Sequence, residues 1–202
     1  NVPQGYVVGL IGENGAGKST LIHMIEGIKN QDSGEILVFN QDIRKYEKIL
    51  KQDMGVIFDS CNYQPDFKSD DIAKMMSFVY EKWDNQLFEQ YVERFALPKN
   101  KKISEYSKGM KMKLAFATEL AHHPRLLILD EATSGLDPVV RDEILDILRE
   151  FVIDEEHTVL MSSHITSDLD KLADYIVFLH EGKIIMNCTY EEIHEKYGIV
   201  HC

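Results

Sequence analysis

The chain has 202 residues, 44% hydrophobic and 28% charged, which is the make-up of an ordinary globular protein long enough to bury a full core. Its 34 acidic residues against 22 basic ones leave a formal charge of −12, which disfavours nucleic-acid backbones and anionic lipid surfaces, so a membrane link is expected to run through a protein partner. Apolar runs such as Leu126–Leu129 and Tyr175–Leu179 are far too short to span a bilayer, and the start shows no secretory leader pattern. Cys61, Cys188 and Cys202 offer neither a disulfide framework nor metal-ligand spacing, which fits a reducing, cytosolic setting.

In chain order, the first element is an apolar run, Tyr6–Ile11, expected as a buried strand in which Gly9 reports tight packing. It leads into Gly12–Thr20, GENGAGKST, which fits G-x-x-x-x-G-K-[ST] with Gly12, Gly17, Lys18 and Ser19 in the fixed places. Triphosphate oxygens need many donors at short range. Gly12, Gly15 and Gly17 allow the close approach and positive φ angles that a wrapping backbone requires. The helix expected over Lys18–Ile28 directs its free N–H groups at the anion. Lys18 supplies a charge for the β and γ phosphates of ATP, and the Ser19 hydroxyl suits Mg²⁺. Asn14 and Thr20 are counted with the nucleotide-contacting residues.

Further strands are expected at Glu35–Phe39, Met54–Phe58, Leu126–Leu129, Thr158–Met161, Tyr175–Leu179 and Lys183–Met186. Their alternation with helical patterns predicts an α/β fold with a mainly parallel sheet. From about residue 66 to 123 the pattern is helical only, with helices over Ile72–Trp83, Asn85–Phe95 and Ser107–Ala121, so a helical subdomain inserted into the core is expected. Leu126-Leu127-Ile128-Leu129 ends in Asp130-Glu131, an acid pair where open parallel sheets place ligand groups. Asp130 suits Mg²⁺, and Glu131, one step on, suits the attacking water as its base. Asp137-Pro138 starts a helix whose Ile144, Ile147, Leu148 and Phe151 form one apolar face.

These segments together resemble the nucleotide-binding domain of an ATP-binding cassette (ABC) transporter, a P-loop NTPase fold. Tyr106-Ser107-Lys108-Gly109-Met110 matches the family's signature motif, Asp130-Glu131 its acidic strand end, Ser134-Gly135-Leu136-Asp137-Pro138 its D-loop and His164 its switch histidine, in the family's order. The likeness spans nearly the whole chain and is closest to single-domain ATPases of bacterial exporters. It implies ATP hydrolysis in a head-to-tail dimer, a homodimer or a pair with another such ATPase, beneath separate membrane permease subunits at the inner face of the cell membrane. Each ATP would lie between one subunit's phosphate loop and the other's signature, with Ser107, Gly109 and Asp137 contacting the nucleotide from across the interface. His164 would hold the water near Glu131, making Glu131, His164 and Lys18 the catalytic set.

Three departures qualify the resemblance. Asp59 stands where the family usually carries Gln, and is a further candidate Mg²⁺ ligand. Lys108 replaces the signature's first glycine, with Lys108 and Asp59 expected to offset one another in the closed dimer. The aromatic residue that the family stacks on adenine lies well upstream of the phosphate loop and is not expected here, since the chain opens at Asn1 and Tyr6 belongs to the lead-in strand; an edge of the sheet is likewise expected to be missing. Lys101, Lys102, Lys108, Lys111 and Lys113 are expected as a solvated face. Met75, Met76, Phe78, Val79 and Tyr80 are expected mostly as subdomain core, a minority serving to dock a permease helix.

Overall fold

The computed structural model describes residues 1–60 and 62–196, so Cys61 and Cys202 lie outside the described residues. In chain order the elements are β1 (Val7–Ile11), α1 (Lys18–Ile25), β2 (Leu37–Val38), β3 (Gln41–Asp42), α2 (Ile43–Leu50), β4 (Met54–Phe58), α3 (Ser69–Val79), α4 (Asn85–Arg94), α5 (Lys108–Leu120), β5 (Leu126–Asp130), α6 (Pro138–Phe151), β6 (Thr158–Ser162), α7 (Thr166–Leu172), β7 (Tyr175–His180), β8 (Lys183–Thr189) and α8 (Tyr190–Lys196).

Six strands form one sheet in the order β4-β5-β6-β1-β7-β8. All neighbours run parallel except β7 and β8, which form an antiparallel hairpin. Alternate side chains of a strand face opposite sides of its sheet, and here both sides are covered. Val7, Ile57, Leu127, Leu129, Val159 and Met161 pack into one buried cluster with residues of α3 to α7. Val8, Leu10, Met54, Ile128 and Leu160 pack into the other with Ile22 of α1 and Ile43 and Leu50 of α2. Gly9 is as small as it is because an added Cβ would lie 2.8 Å from Leu169 Cδ2.

The sheet places chemistry at one edge. Phe58 is the register partner of Asp130, Asp130 of Ser162, and Ser162 of Leu10. The C-terminal ends of β4, β5, β6 and β1 therefore come level. The segments that follow them, carrying Asp59, Glu131, His164 and the Gly12–Thr20 loop, leave from the same side of the sheet, where such folds bind ligands.

Glu35–Phe39 does not join the main sheet. Only Leu37–Val38 is extended, and it pairs with Gln41–Asp42 in a separate two-stranded hairpin. Phe39 and Asn40 both take positive φ, 50° and 62°, turning the chain straight back on itself. The helix expected over Lys18–Ile28 stops at Ile25 because Gly27 turns left-handed at φ 72°. The one expected over Ile72–Trp83 stops at Val79, with Tyr80 already extended. Between β4 and β5 the described residues form α3, α4 and α5 and no strand. Phe88 and Phe116 are fully buried there, each worth about 1.5–3 kcal/mol of apolar burial. Phe78, Val79 and Met75 depart from the core expectation: they are 82%, 53% and 38% exposed on α3, because its buried face is set by Ser69, Ile72 and Ala73.

Candidate functional site

The phosphate loop sits against the β7–β8 hairpin. The Gly182 amide donates to the Ala16 carbonyl at 2.9 Å, and the Ala16 amide donates to Glu13 O at 3.0 Å within the loop. A Cβ on Gly12 would lie 2.3 Å from the Leu179 carbonyl oxygen, so only glycine fits. Gly15 faces open space, and its requirement is conformational, with φ at 84°. Gly17 precedes α1 in the left-handed region, φ 106°. Lys18 is buried, and its Nζ donates to the carbonyls of Gly12 at 2.8 Å and Glu13 at 3.3 Å. The loop thus holds its own ammonium at its base, while Asn14, Ser19 and Thr20 are exposed.

At the end of β5, Asp130 is buried and its Oδ1 accepts from Ser162 Oγ at 2.6 Å. Glu131 has a left-handed backbone, φ 53°, which is costly for a residue with a Cβ and is held by specific bonds. Its amide donates both to Ser162 Oγ at 3.1 Å and to the Ser162 carbonyl at 3.2 Å. That turn sends Glu131 away from Asp130 and toward His164, whose Nδ1 lies 3.5 Å from Glu131 Oε2. Both side chains remain partly open to solvent, at 31% for Glu131 and 49% for His164.

Ser162 escaped the sequence reading although it organises both acids. Its signal is a hydroxyl at the end of the strand adjacent to the acidic one. Ser162→Ala would leave a buried carboxylate oxygen and a strained amide short of a partner. The expected loss is about 1–3 kcal/mol of unfolding free energy in urea titrations.

Ser107 and Asp137 each have a second task. Ser107 Oγ accepts from the Met110 amide at 3.2 Å as cap of α5, and Asp137 Oδ1 accepts from the Val140 amide at 3.1 Å as cap of α6. Both remain exposed. Gly109 abuts α6, where an added Cβ would meet Val140 Cγ2 at 3.2 Å. Asp59 is exposed one residue beyond the register partner of Asp130. Of the lysine cluster, Lys102 pairs with Asp66 at 2.8 Å, Lys113 pairs with Glu143, and Lys108 is bound to a carbonyl of its own chain.

Glu119 of α5 is another residue missed from sequence. Its Oε2 accepts from the amide of Val56 at 3.1 Å, on the open side of edge strand β4. The same oxygen lies 3.3 Å from Nε2 of the buried His122, which stacks on Tyr80 with ring centroids 3.7 Å apart. The signature helix is thereby fastened to the strand that leads to Asp59.

A Mg²⁺ ion takes one or two carboxylates plus phosphate and water oxygens, and so needs few protein ligands. Asp130 fits, since Ser162 fixes one of its oxygens and the other carries no hydrogen bond among the described residues. No group of three or more His, Cys, Asp or Glu side chains among the described residues could hold a metal by itself.

Comparison with known proteins agrees with this geometry. The family model described as ABC transporter matches residues 1–134. The lantibiotic transport ATP-binding protein SrtF of Streptococcus pyogenes is 34% identical, across 95% of this chain and 82% of that protein. The bacitracin transport ATP-binding protein BcrA of Bacillus licheniformis is 30% identical across 97% of this chain, which spans only 65% of that relative's length. Among solved structures, an ATP-binding subunit of an ABC transporter superposes with a TM-score of 0.85 at 25% identity, covering 96% of this chain and 83% of the other. With a phosphate loop, an acid-ended strand and a histidine gathered at one sheet edge, and a match over most of its length, the chain belongs to the ABC transporter family, as one of its P-loop nucleotide-binding domains.

Proposed function

We infer that the chain is the ATP-hydrolysing subunit of an export-type transporter, working as a head-to-tail dimer under separate permease subunits. The observation that carries this reading is the meeting of Glu131 and His164 at 3.5 Å beside the loop that holds Lys18. In this reading, Lys18 and the Gly12, Asn14, Gly15, Gly17, Ser19 and Thr20 groups bind the triphosphate. The partner subunit's copy of the signature and D-loop, the counterparts of Ser107, Gly109 and Asp137, closes over it. Glu131 takes a proton from the attacking water, and His164 orients that water and the γ-phosphate. Ser19 and Asp130, with Asp59 as a further candidate, would hold Mg²⁺, which supplies charge neutralisation at the phosphates when bound.

Residues 66–123 form the helical subdomain in this reading. The exposed Met75, Phe78 and Val79 on α3 form an apolar face toward a permease's cytosolic segment. No helix among the described residues is long and apolar enough to cross a membrane, so attachment at the inner face of the membrane would run through that segment.

The test is recovery of the tagged Glu131→Gln protein from detergent-solubilised native membranes with ATP and Mg²⁺. Co-recovery of a multi-span membrane protein is the expected result. Recovery of ribosomal or other soluble partners alone would overturn the transport reading. Bacitracin and lantibiotics, named in the two relatives, are the first cargoes to try once the permease is in hand.

A further inference from the structure

Lys108 begins α5 directly after the Ser107 cap, and its Nζ donates to the Ser134 carbonyl at 2.7 Å. From the other side, Arg141 of α6 donates from Nη2 to the Leu136 carbonyl at 3.2 Å. Two cations on two helices thus hold the carbonyls that flank Gly135. The fit around that residue is tight on one side only: a Cβ added at Gly135 would lie 2.9 Å from Lys108 Nζ, and the next heavy atom, also of Lys108, is 4.0 Å away.

Beyond Arg141 the contacts continue inward. Its Nε lies 3.9 Å from Oδ1 of Asp168, a buried carboxylate of α7, the helix that follows His164. The turn itself is otherwise lightly held. Within it the Ser134 amide donates to Glu131 O at 2.9 Å, and the Leu136 amide reaches Thr133 O only at 3.4 Å.

We propose that Lys108 is a positioning residue that ties the Ser134–Asp137 turn to the signature helix of its own subunit, so that Ser107, Gly109 and Asp137 approach the nucleotide as one preformed surface. The proposal rests on the head-to-tail reading above. An ammonium on a carbonyl is a charge-assisted hydrogen bond, stronger than a neutral one, and at 2.7 Å it holds the Ser134 carbonyl against the start of α5. Losing it adds an ordering cost that falls on nucleotide binding and not on the chemical step. The ion–carbonyl bond thereby gives the lysine at this signature position a task within one subunit, before any partner arrives.

The experiment compares steady-state ATP hydrolysis and thermal melting of wild type, Lys108→Met, Lys108→Arg, Gly135→Ala and the Lys108→Met/Gly135→Ala pair. Lys108→Met is expected to raise KM for ATP about three- to tenfold, the range of one charge-assisted bond at a partly exposed site, with kcat within about twofold. Lys108→Arg should recover most of the loss. Gly135 sits at φ 65°, so Gly135→Ala carries the same backbone strain in either background. Beyond that it displaces Nζ, and so it should raise KM less in the Lys108→Met background than in wild type, where the group it strikes is present. Fully additive effects, an unchanged KM, or a fall confined to kcat would overturn the proposal.

Amide hydrogen exchange at Ser134 and Leu136, the two amides of the turn that donate hydrogen bonds, provides the second readout in the nucleotide-free protein. Faster exchange in Lys108→Met supports the tether even if the wild type fails to hydrolyse ATP, an outcome that would sink the ATPase reading and leave the tether standing. Unchanged exchange overturns the tether itself.

Discussion

Glu131→Gln should lower steady-state ATP hydrolysis by about 10²–10⁴-fold while leaving ATP binding and ATP-dependent dimerisation intact. The amide keeps the size and the hydrogen-bonding reach of the side chain but cannot take a proton from water. The backbone around it does not depend on the carboxylate, since the left-handed turn is held by the two bonds from its own amide to Ser162. The substitution should therefore remove chemistry without moving the site. Turnover measured beside size-exclusion profiles with and without ATP distinguishes the outcomes. Lost turnover with a trapped dimer supports Glu131 as base. Turnover within about threefold of wild type would remove Glu131 from that role and leave His164, 3.5 Å away, as the group to test next.

The parts of this site that were legible from sequence share a physical property: each imposes a local requirement on residue type. Gly12 must lack a Cβ because the Leu179 carbonyl occupies the space, and the pattern GENGAGKST carries that demand on its face. The strands of the parallel sheet were legible because both faces are buried, which writes each one as a continuous apolar run. Elements with few apolar residues left no such trace. The helix α7, TSDLDKL, buries only Asp168 and Leu169, and α2 is irregular at Tyr46 with only Ile43 and Leu50 buried. The hairpin at Leu37–Asp42 was concealed for a different reason. Its turn is made by Phe39 and Asn40 at positive φ, and phenylalanine gives no warning of that geometry.

The polar fastenings were the least legible of all, because they join residues far apart in the chain. Ser162 with Asp130, Glu119 with Val56, and Lys108 with Ser134 are separated by 32, 63 and 26 positions. Spacing within a motif says nothing about such pairs. The exposed face of α3 illustrates the converse, since Phe78 and Val79 look like core until the helix is placed and the buried side proves to be the other one.

Glu26 supplies the second large effect, a dependence of stability on pH that Glu26→Gln should abolish. This residue follows α1, is 3% exposed, and neither carboxyl oxygen has a hydrogen-bond partner among the described residues. It borders a cavity of about 250 Å³ with Glu119, Tyr80 and Lys51. Burial pushes its carboxyl up from 4.5 to about 7, the negative charge of Asp130 pushes the same way, and Lys51 opposes both. Lys51 is a weak counterweight because its ammonium is paired with Glu47 at 2.6 Å.

The sign follows from which state holds the proton. Between the ordinary carboxylate range and about pH 7 the native chain keeps a proton that the unfolded chain has released, so stability falls as pH rises through that window. Above it the native state carries the whole penalty, about 3 kcal/mol at most. Glutamine is neutral at every pH, so Glu26→Gln should match wild type near about pH 4 and exceed it by about 1–3 kcal/mol near about pH 8 in urea titrations. Parallel curves for the two proteins would show that Glu26 ionises freely in the native state. A convergence at low pH alone would place an uncompensated buried carboxylate behind the helix that follows the Gly12–Thr20 loop.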